Sequence, residues 1–270
     1  MEQEIEENFG EEEEESDLTR RILREAFGDS SSESDHGECS SPIGESFSLL
    51  SQCQESGFEI PIWEPVHGIQ GLWFCSNFLS SENQSSLLSA IYQDGWLTDQ
   101  HNQAMRFGDL PKWALELSRR TRSAVCTGDI RPGSELNLST TSVRNDPLPF
   151  DLLWREPLFD QLIANVYKPG EGICSHVDLM RFEDGIAIIS LESACVMQFT
   201  LEKEIENGKE KKVPVFLNPG SLVIMHGEAR YSWKHGINRG PGCQIWDGKE
   251  IEQKRRTSVT LRRLCPAPSC

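Results

Sequence analysis

Apolar and polar positions alternate along this chain in two rhythms. Between Gly71 and Trp96 the segment GLWFCSNFLSSENQSSLLSAIYQDGW reads as an apolar strand, a polar cap at Ser80–Ser81, and a helix carrying Leu87, Leu88 and Ile91. Gly95 marks the end of that helix. A second helix is expected from Pro111, with Trp113, Leu115 and Leu117 facing inward. The rhythm then changes to short apolar runs, LIANVYK, GIAIISL, CVMQFTLE, VPVFL, SLVIMH and TSVTLRR. They are punctuated by Pro169-Gly170, Asn207-Gly208 and Asn218-Pro219-Gly220, so they read as strands joined by turns. No internal repeat is present. One or two helices followed by six or more strands predict a mainly β protein, a β-sandwich or jelly roll backed by N-terminal helices.

Charge divides the chain in a way this pattern does not reveal. The formal net charge is −17, and residues 1–60 alone hold 18 acidic side chains against 3 arginines. The rest is close to neutral. Residues 1–58 are therefore expected to be a disordered acidic Ser/Glu-rich tail, and residues 59–270 a single folded domain. Within the tail, SDLTRRILREAF aligns Leu18, Ile22, Leu23 and Phe27 on one helical face, the pattern of a docking helix for a protein partner or of a transient helix. No apolar run approaches the ~18–20 residues that span a bilayer, and MEQEIEENFGEEEEE is the opposite of a signal peptide, so no membrane partner is expected. Nine cysteines with no CxxC pair suggest reduced thiols, in the cytoplasm and/or the nucleus.

The candidate chemistry lies in NVYKPGEGICSHVDLM. His176 and Asp178 are two apart, so on a strand they share a face and bring an imidazole nitrogen beside a carboxylate oxygen. A divalent iron with open positions takes two histidines and one carboxylate on one octahedral face. A lone HxD is weak, because this composition gives about 0.3 such pairs by chance. The third ligand must come from another strand. His235, placed at the end of the strand that begins SLVIM, is the preferred candidate, and His226 competes with it.

Toward the C-terminus, Arg256 and Arg262 are six apart, which puts both on one face of a strand and leaves Arg255 and Arg263 on the other. A planar, permanently charged guanidinium suits a small dicarboxylate entering a partly dry pocket. Asn165 and Tyr167, two apart on another strand, can offer an amide and a phenol to the same ligand.

Taken in order, GLWFCSNFLS, NVYKPGEG before HVD, GIAIISL after it, PGSLVIMHGEARYSWKHGI and Arg256-x5-Arg262 resemble the AlkB family of iron(II)- and 2-oxoglutarate-dependent dioxygenases. The resemblance runs from about Gly71 to Leu264. It implies a double-stranded β-helix with His176, Asp178 and His235 holding Fe(2+), and with Asn165, Tyr167, Arg256 and Arg262 around 2-oxoglutarate. It also implies O2 as co-substrate. Oxidative decarboxylation to succinate and CO2 would accompany hydroxylation of a C–H bond, and an N-methyl product would break down to formaldehyde.

Members of this family mostly act on nucleobases, which must be flipped into the pocket. HNQAMRFG, residues 101–108, falls where the family's nucleotide-recognition lid would lie, and Arg106, Lys112, Arg119, Arg120 and Arg122 could contact phosphate or form a solvated helix face. One departure stands out. The DNA-repair members carry an acidic residue shortly after the metal-binding Asp, whereas Leu179, Met180 and Arg181 follow Asp178 here. RFEDGIAIISL instead resembles the homologue that hydroxylates a modified tRNA uridine. The expectation is hydroxylation or oxidative demethylation of a modified nucleobase, in RNA (tRNA included) before DNA. Oxidation of a protein side chain, or a non-catalytic interaction protein that keeps only the fold, are the alternatives.

Overall fold

The computed structural model describes residues 60–97, 102–131, 146–202 and 210–266. The acidic segment 1–58 with its amphipathic stretch, and the Asn207-Gly208 turn, lie outside the described residues.

Two strands open the described chain, β1 (Ile62–Pro65) and β2 (Leu72–Cys75), before either helix. Helix α1 (Ser81–Gln93) starts where Ser80 accepts a hydrogen bond from the Asn83 N–H at 3.3 Å, and buries Leu87 and Ile91. The chain turns out of it at Gly95, whose φ of +70° favours a residue without Cβ. Strand β3 (Gln103–Phe107) follows, then α2 (Lys112–Thr127) and the two-residue β4 (Asp129–Ile130). Helix α2 buries Trp113 and Leu117 as expected, but Leu115 is 37% exposed. A residue two positions from Trp113 lies about 200° round a helix, so those three could not share a face. Trp113 also ties the helices together: its indole N–H donates to Asp94 at 2.8 Å, and its ring meets Trp96 edge-on at 5.6 Å.

After the short α3 (Phe150–Leu153), eight strands build the core: β5 (Gln161–Tyr167), β6 (Ile173–His176), β7 (Ile186–Leu191), β8 (Cys195–Leu201), β9 (Lys212–Leu217), β10 (Leu222–Met225), β11 (Trp233–Ile237) and β14 (Arg256–Arg262). The four-residue α4 (Glu228–Tyr231) and a small hairpin, β12 (Ile245–Trp246) with β13 (Lys249–Glu250), interrupt them. One sheet runs β3-β5-β14-β7-β10-β2-β1-β4 and the other β6-β11-β8-β9. Apart from the β8–β9 hairpin, successive core strands cross between the two, which is the alternation of a double-stranded β-helix. All pairings are antiparallel except β1 with β4.

Pleating sorts the large sheet's residues into two cores. Ala187, Ile189, Leu191, Val259 and Leu261 face away from the small sheet and pack with Trp113, Leu117, Leu87 and Ile91 of the helices. Ile186, Ile188, Val223 and Met225 point the other way and meet Met197, Phe199, Val215 and Trp233 of the small sheet. On that inner face the strand pattern switches from apolar to polar toward β14 and β5, and the candidate site lies there.

Candidate metal and co-substrate centre

Strands β6 and β11 pair so that His235 stands opposite His176, with ring centroids 4.5 Å apart. Two glycines make this approach feasible. A Cβ on Gly236 would lie 2.8 Å from Ser175 Cα, and one on Gly172 would lie 2.2 Å from the Ile237 carbonyl oxygen. Asp178 is not on the strand: β6 ends at His176, and the carboxylate comes from the loop just past it. His235 likewise does not end the strand that begins SLVIM. That strand, β10, stops at Met225 in the large sheet, and the turn of α4 carries the chain across to β11. The three candidate ligand atoms fall within 4.8 Å of one another. His226 takes no part. It stays at the end of β10, where its backbone N–H donates to the Gly71 carbonyl at 2.9 Å.

Hydrogen bonding fixes the chemistry of each group. His176 Nδ1 lies 2.8 Å from the Cys174 carbonyl oxygen, which can only accept. The proton therefore sits on Nδ1 and the free lone pair on Nε2. Burial pushes the His235 imidazole down to about 4 against the pull of Asp178, so it is neutral near pH 7 and able to ligate. Burial works to raise Asp178, yet Arg262 and the other surrounding positive groups hold it below the usual carboxylate range. Arg262 Nη2 engages Oδ1 of Asp178 at 2.5 Å. Oδ2 is buried with no hydrogen-bond partner and faces His235 Nε2 at 3.5 Å. Two imidazoles beside an orphaned, buried carboxylate oxygen fit a divalent cation, and the pairing of Oδ1 with Arg262 leaves one oxygen for it.

The loop that carries Asp178 is itself held. Arg230, 1% exposed, donates from Nη1 to the Asp178 carbonyl at 2.9 Å and from Nη2 to the carbonyls of Leu179 at 2.8 Å and Phe182 at 3.1 Å. Sequence reasoning gave Arg230 no role of its own. The signal available was an arginine four residues past His226, in the short stretch leading to His235.

Across the niche, β14 pairs with β5 so that Arg256 faces Tyr167, Ser258 faces Asn165 and Arg262 faces Gln161, all on the inner face. Arg256 is 4% exposed, and its guanidinium lies over the Tyr167 ring at 5.4 Å. Its Nη2 donates to Ser190 Oγ at 2.7 Å, and its Nε has no partner. Among the described residues no carboxylate pairs with it. A buried cation without a counter-charge is costly, so this side chain fits a carboxylate brought by a ligand. Burial raises the Tyr167 phenol, with Arg256 working against it, so it remains a hydrogen-bond donor at neutral pH. Asn165 accepts from Gln103 Nε2 at 2.6 Å and, with Tyr167, lines an open cleft of about 490 Å³ bounded by Gly172, Ile173 and Arg239. Arg262 shares the face but is engaged by Asp178, a partner other than the one the resemblance assigns.

Elsewhere, Arg255 lies over the Tyr92 ring at 5.2 Å and Arg263 donates to the Pro157 carbonyl at 2.6 Å, both away from the niche. The described part of the 101–108 stretch is the edge strand β3, paired with β5. Arg122 turns inward to the carbonyls of Leu153 and Arg155, both at 3.0 Å, and is not a free phosphate contact.

A jelly roll whose inner face joins a His-Asp-His niche to a buried arginine defines a metal-dependent oxygenase. The chain belongs to the 2OG-Fe(II) oxygenase superfamily, whose family model matches residues 71–262. Within it, the chain is an AlkB-type dioxygenase, an enzyme that uses Fe(2+), 2-oxoglutarate and O2. It is 30% identical over 214 residues to the tRNA (carboxymethyluridine(34)-5-O)-methyltransferase alkbh8 of Xenopus tropicalis, covering 73% of this chain and 32% of that protein. It is 26% identical over 218 residues to the Alkylated DNA repair protein ALKBH8 homolog of Arabidopsis thaliana, covering 75% of this chain and 61% of the relative. The chain thus spans less than two thirds of the length of either. A solved structure of OsALKBH1 aligns with a TM-score of 0.45 at 15% identity, covering 72% of this chain and 97% of that one.

His176, Asp178 and His235 would hold iron(II), which with 2-oxoglutarate and dioxygen would supply the oxidising chemistry. The protein's own contribution is positional. Cys174 and Arg262 orient two of the candidate ligands, and Arg256 would neutralise a carboxylate of the co-substrate.

Proposed function

We propose that this dioxygenase hydroxylates or oxidatively demethylates a modified nucleobase in RNA, with tRNA the first substrate to test. The observation that carries the reading is the match to a named tRNA-modifying protein across 73% of the chain. The rim agrees with it. The residues that follow Asp178, Leu179 and Met180, are 48% and 71% exposed and carry no acid. They offer an apolar surface on which a base can rest, and the cleft lined by Asn165 and Tyr167 also carries Asn102 and Gln103. The same reading places the enzyme in the cytoplasm or nucleus, where its RNA would be.

Incubation of the iron-loaded full chain with 2-oxoglutarate and total cellular RNA, followed by nucleoside mass spectrometry, tests this reading. Oxidation or loss of a specific nucleoside, absent with His176→Ala, is the expected result. Unchanged RNA with continued formation of succinate would overturn the substrate and direct the search to DNA or protein.

A further inference from the structure

A run of alternating rings and guanidinium groups leads away from the metal niche to the edge of the large sheet. Arg262, whose Nη2 engages Asp178, lies with its Cζ 4.8 Å from the centroid of the Phe182 ring. Arg181 lies against the same ring at 5.0 Å and against the Phe107 ring at 5.3 Å. Phe107 is the last residue of β3, the strand that forms one edge of the sheet. The backbone reinforces the connection. Phe107 pairs with Gln161, Gln161 pairs with Arg262, and Arg262 Nη1 reaches Gln161 Oε1 at 3.4 Å. Phe107 and Arg262 are thus linked twice, through the side-chain stack and through one cross-strand row.

The loop between the two ends has little freedom to absorb a displacement. Arg230 holds three of its carbonyls, the Cys265 N–H donates to the Arg181 carbonyl at 2.8 Å, and Phe182 bridges to Leu264. The Phe182 ring, 3% exposed, is the buried rung against which both Arg181 and Arg262 pack, whereas Phe107 is 36% exposed at the other end. A shift of the Arg181 guanidinium must therefore be taken up at the stack itself, where Arg262 sits.

We infer that Phe107, Arg181 and Phe182 form a positioning ladder that holds Arg262 on Asp178, so that the edge strand β3 is mechanically joined to the metal ligand. Phe107 and Arg181 act through Arg262; neither touches the metal. Arg262 keeps Oδ1 of Asp178 occupied and Oδ2 directed at the niche, so a loosened ladder frees the carboxylate to rotate. Whatever lies along β3 then alters the metal's ligand field. This inference rests on the metal centre and is independent of which substrate is oxidised.

The full chain, metal-free, is titrated with Co(II), whose visible absorption bands report ligand geometry. Phe107→Ala and Arg181→Gln are each expected to weaken Co(II) binding about three- to fivefold, less than the loss of a direct outer partner of a ligand, and to shift the visible bands. Phe107→Tyr, which keeps the ring, is expected to match the wild type in both. The melting temperature of the metal-free protein should be the same in all four, separating positioning from a general loss of structure. Wild-type affinity and bands in Phe107→Ala and Arg181→Gln would overturn the ladder, and so would a Phe107→Tyr protein as weak as Phe107→Ala. No Co(II) uptake by the wild type would overturn the metal centre and the ladder with it, while leaving the RNA experiment to judge the substrate separately.

Discussion

The two sheets contribute unlike halves to one site. The β5–β14 pair is seven residues long and regularly paired, and it supplies charge: Arg256, Arg262, Asn165 and Tyr167 stand on its inner face. The β6–β11 pair is short and slips register between His235 and Ile237, and it carries the two candidate histidine ligands, with Asp178 on the loop just past β6. A long ladder fixes side-chain direction by pleat alone. A short, irregular one needs outside help, which here comes from the close approach at Gly172 and Gly236, the Cys174 carbonyl, and Arg230 gripping the loop past Asp178. The contrast explains why the regular half tolerates being read as a pattern, while the irregular half depends on particular contacts.

Five perturbations break or sharpen that contrast. The largest effect is expected on the irregular side. His235→Ala should abolish iron binding, whereas His226→Ala, which alters a histidine outside the cluster, should leave it largely intact; equilibrium dialysis with metal analysis distinguishes them. Arg262→Ala crosses between the halves, stranding the buried Asp178 carboxylate, and should destabilise the metal-free protein by about 3–5 kcal/mol in urea unfolding. On the regular side, Arg256→Ala should weaken 2-oxoglutarate binding by about 2–5 kcal/mol, measured by calorimetry on the Mn(II) form, with metal affinity little changed.

Smaller effects are expected away from the niche. Burial raises the Cys75 thiol to about 11 from its ordinary 9.0, so the folded chain keeps a proton that the unfolded chain releases above pH 9. The unfolded state then binds fewer protons, and stability should fall as pH rises from 9 toward 11. A Cys75→Ala protein should lose that part of the decline in a pH series of melting curves. Finally, removal of residues 1–58 should leave melting temperature and metal binding unchanged, since that segment has too little apolar content to join a core. A large drop would move the domain boundary.

The same contrast governs how much the sequence revealed. Strands β5, β7, β8, β9, β10 and β14 were legible because each is an apolar run bounded by turn residues, and Arg256 and Arg262 shared a face by parity alone. His176, Asp178 and His235 were picked out by the HxD spacing and the approach to His235, and His176 lies on a strand as expected, but the carriers of the other two were misplaced. β11 is a separate strand across α4, and Asp178 lies past the end of β6. Strands of four or five residues with a glycine at the contact carry too short a pattern to be seen. Strand β3 was missed for a different reason: as an exposed edge it mixes Gln103, Met105 and Arg106 with no clear alternation. Leu115 was misassigned by applying strand spacing to a helix. The engagement of Arg262 by Asp178 was invisible, because it depends on the loop after β6 folding back over β14.

The most direct test is to measure succinate formed from 2-oxoglutarate by the iron-loaded full chain, alongside His176→Ala, His235→Ala and His226→Ala. Turnover in the wild type and in His226→Ala, with none in the other two, is the result this account predicts. Turnover that survives His235→Ala, or that is lost with His226→Ala while His235→Ala remains active, would contradict the centre described above.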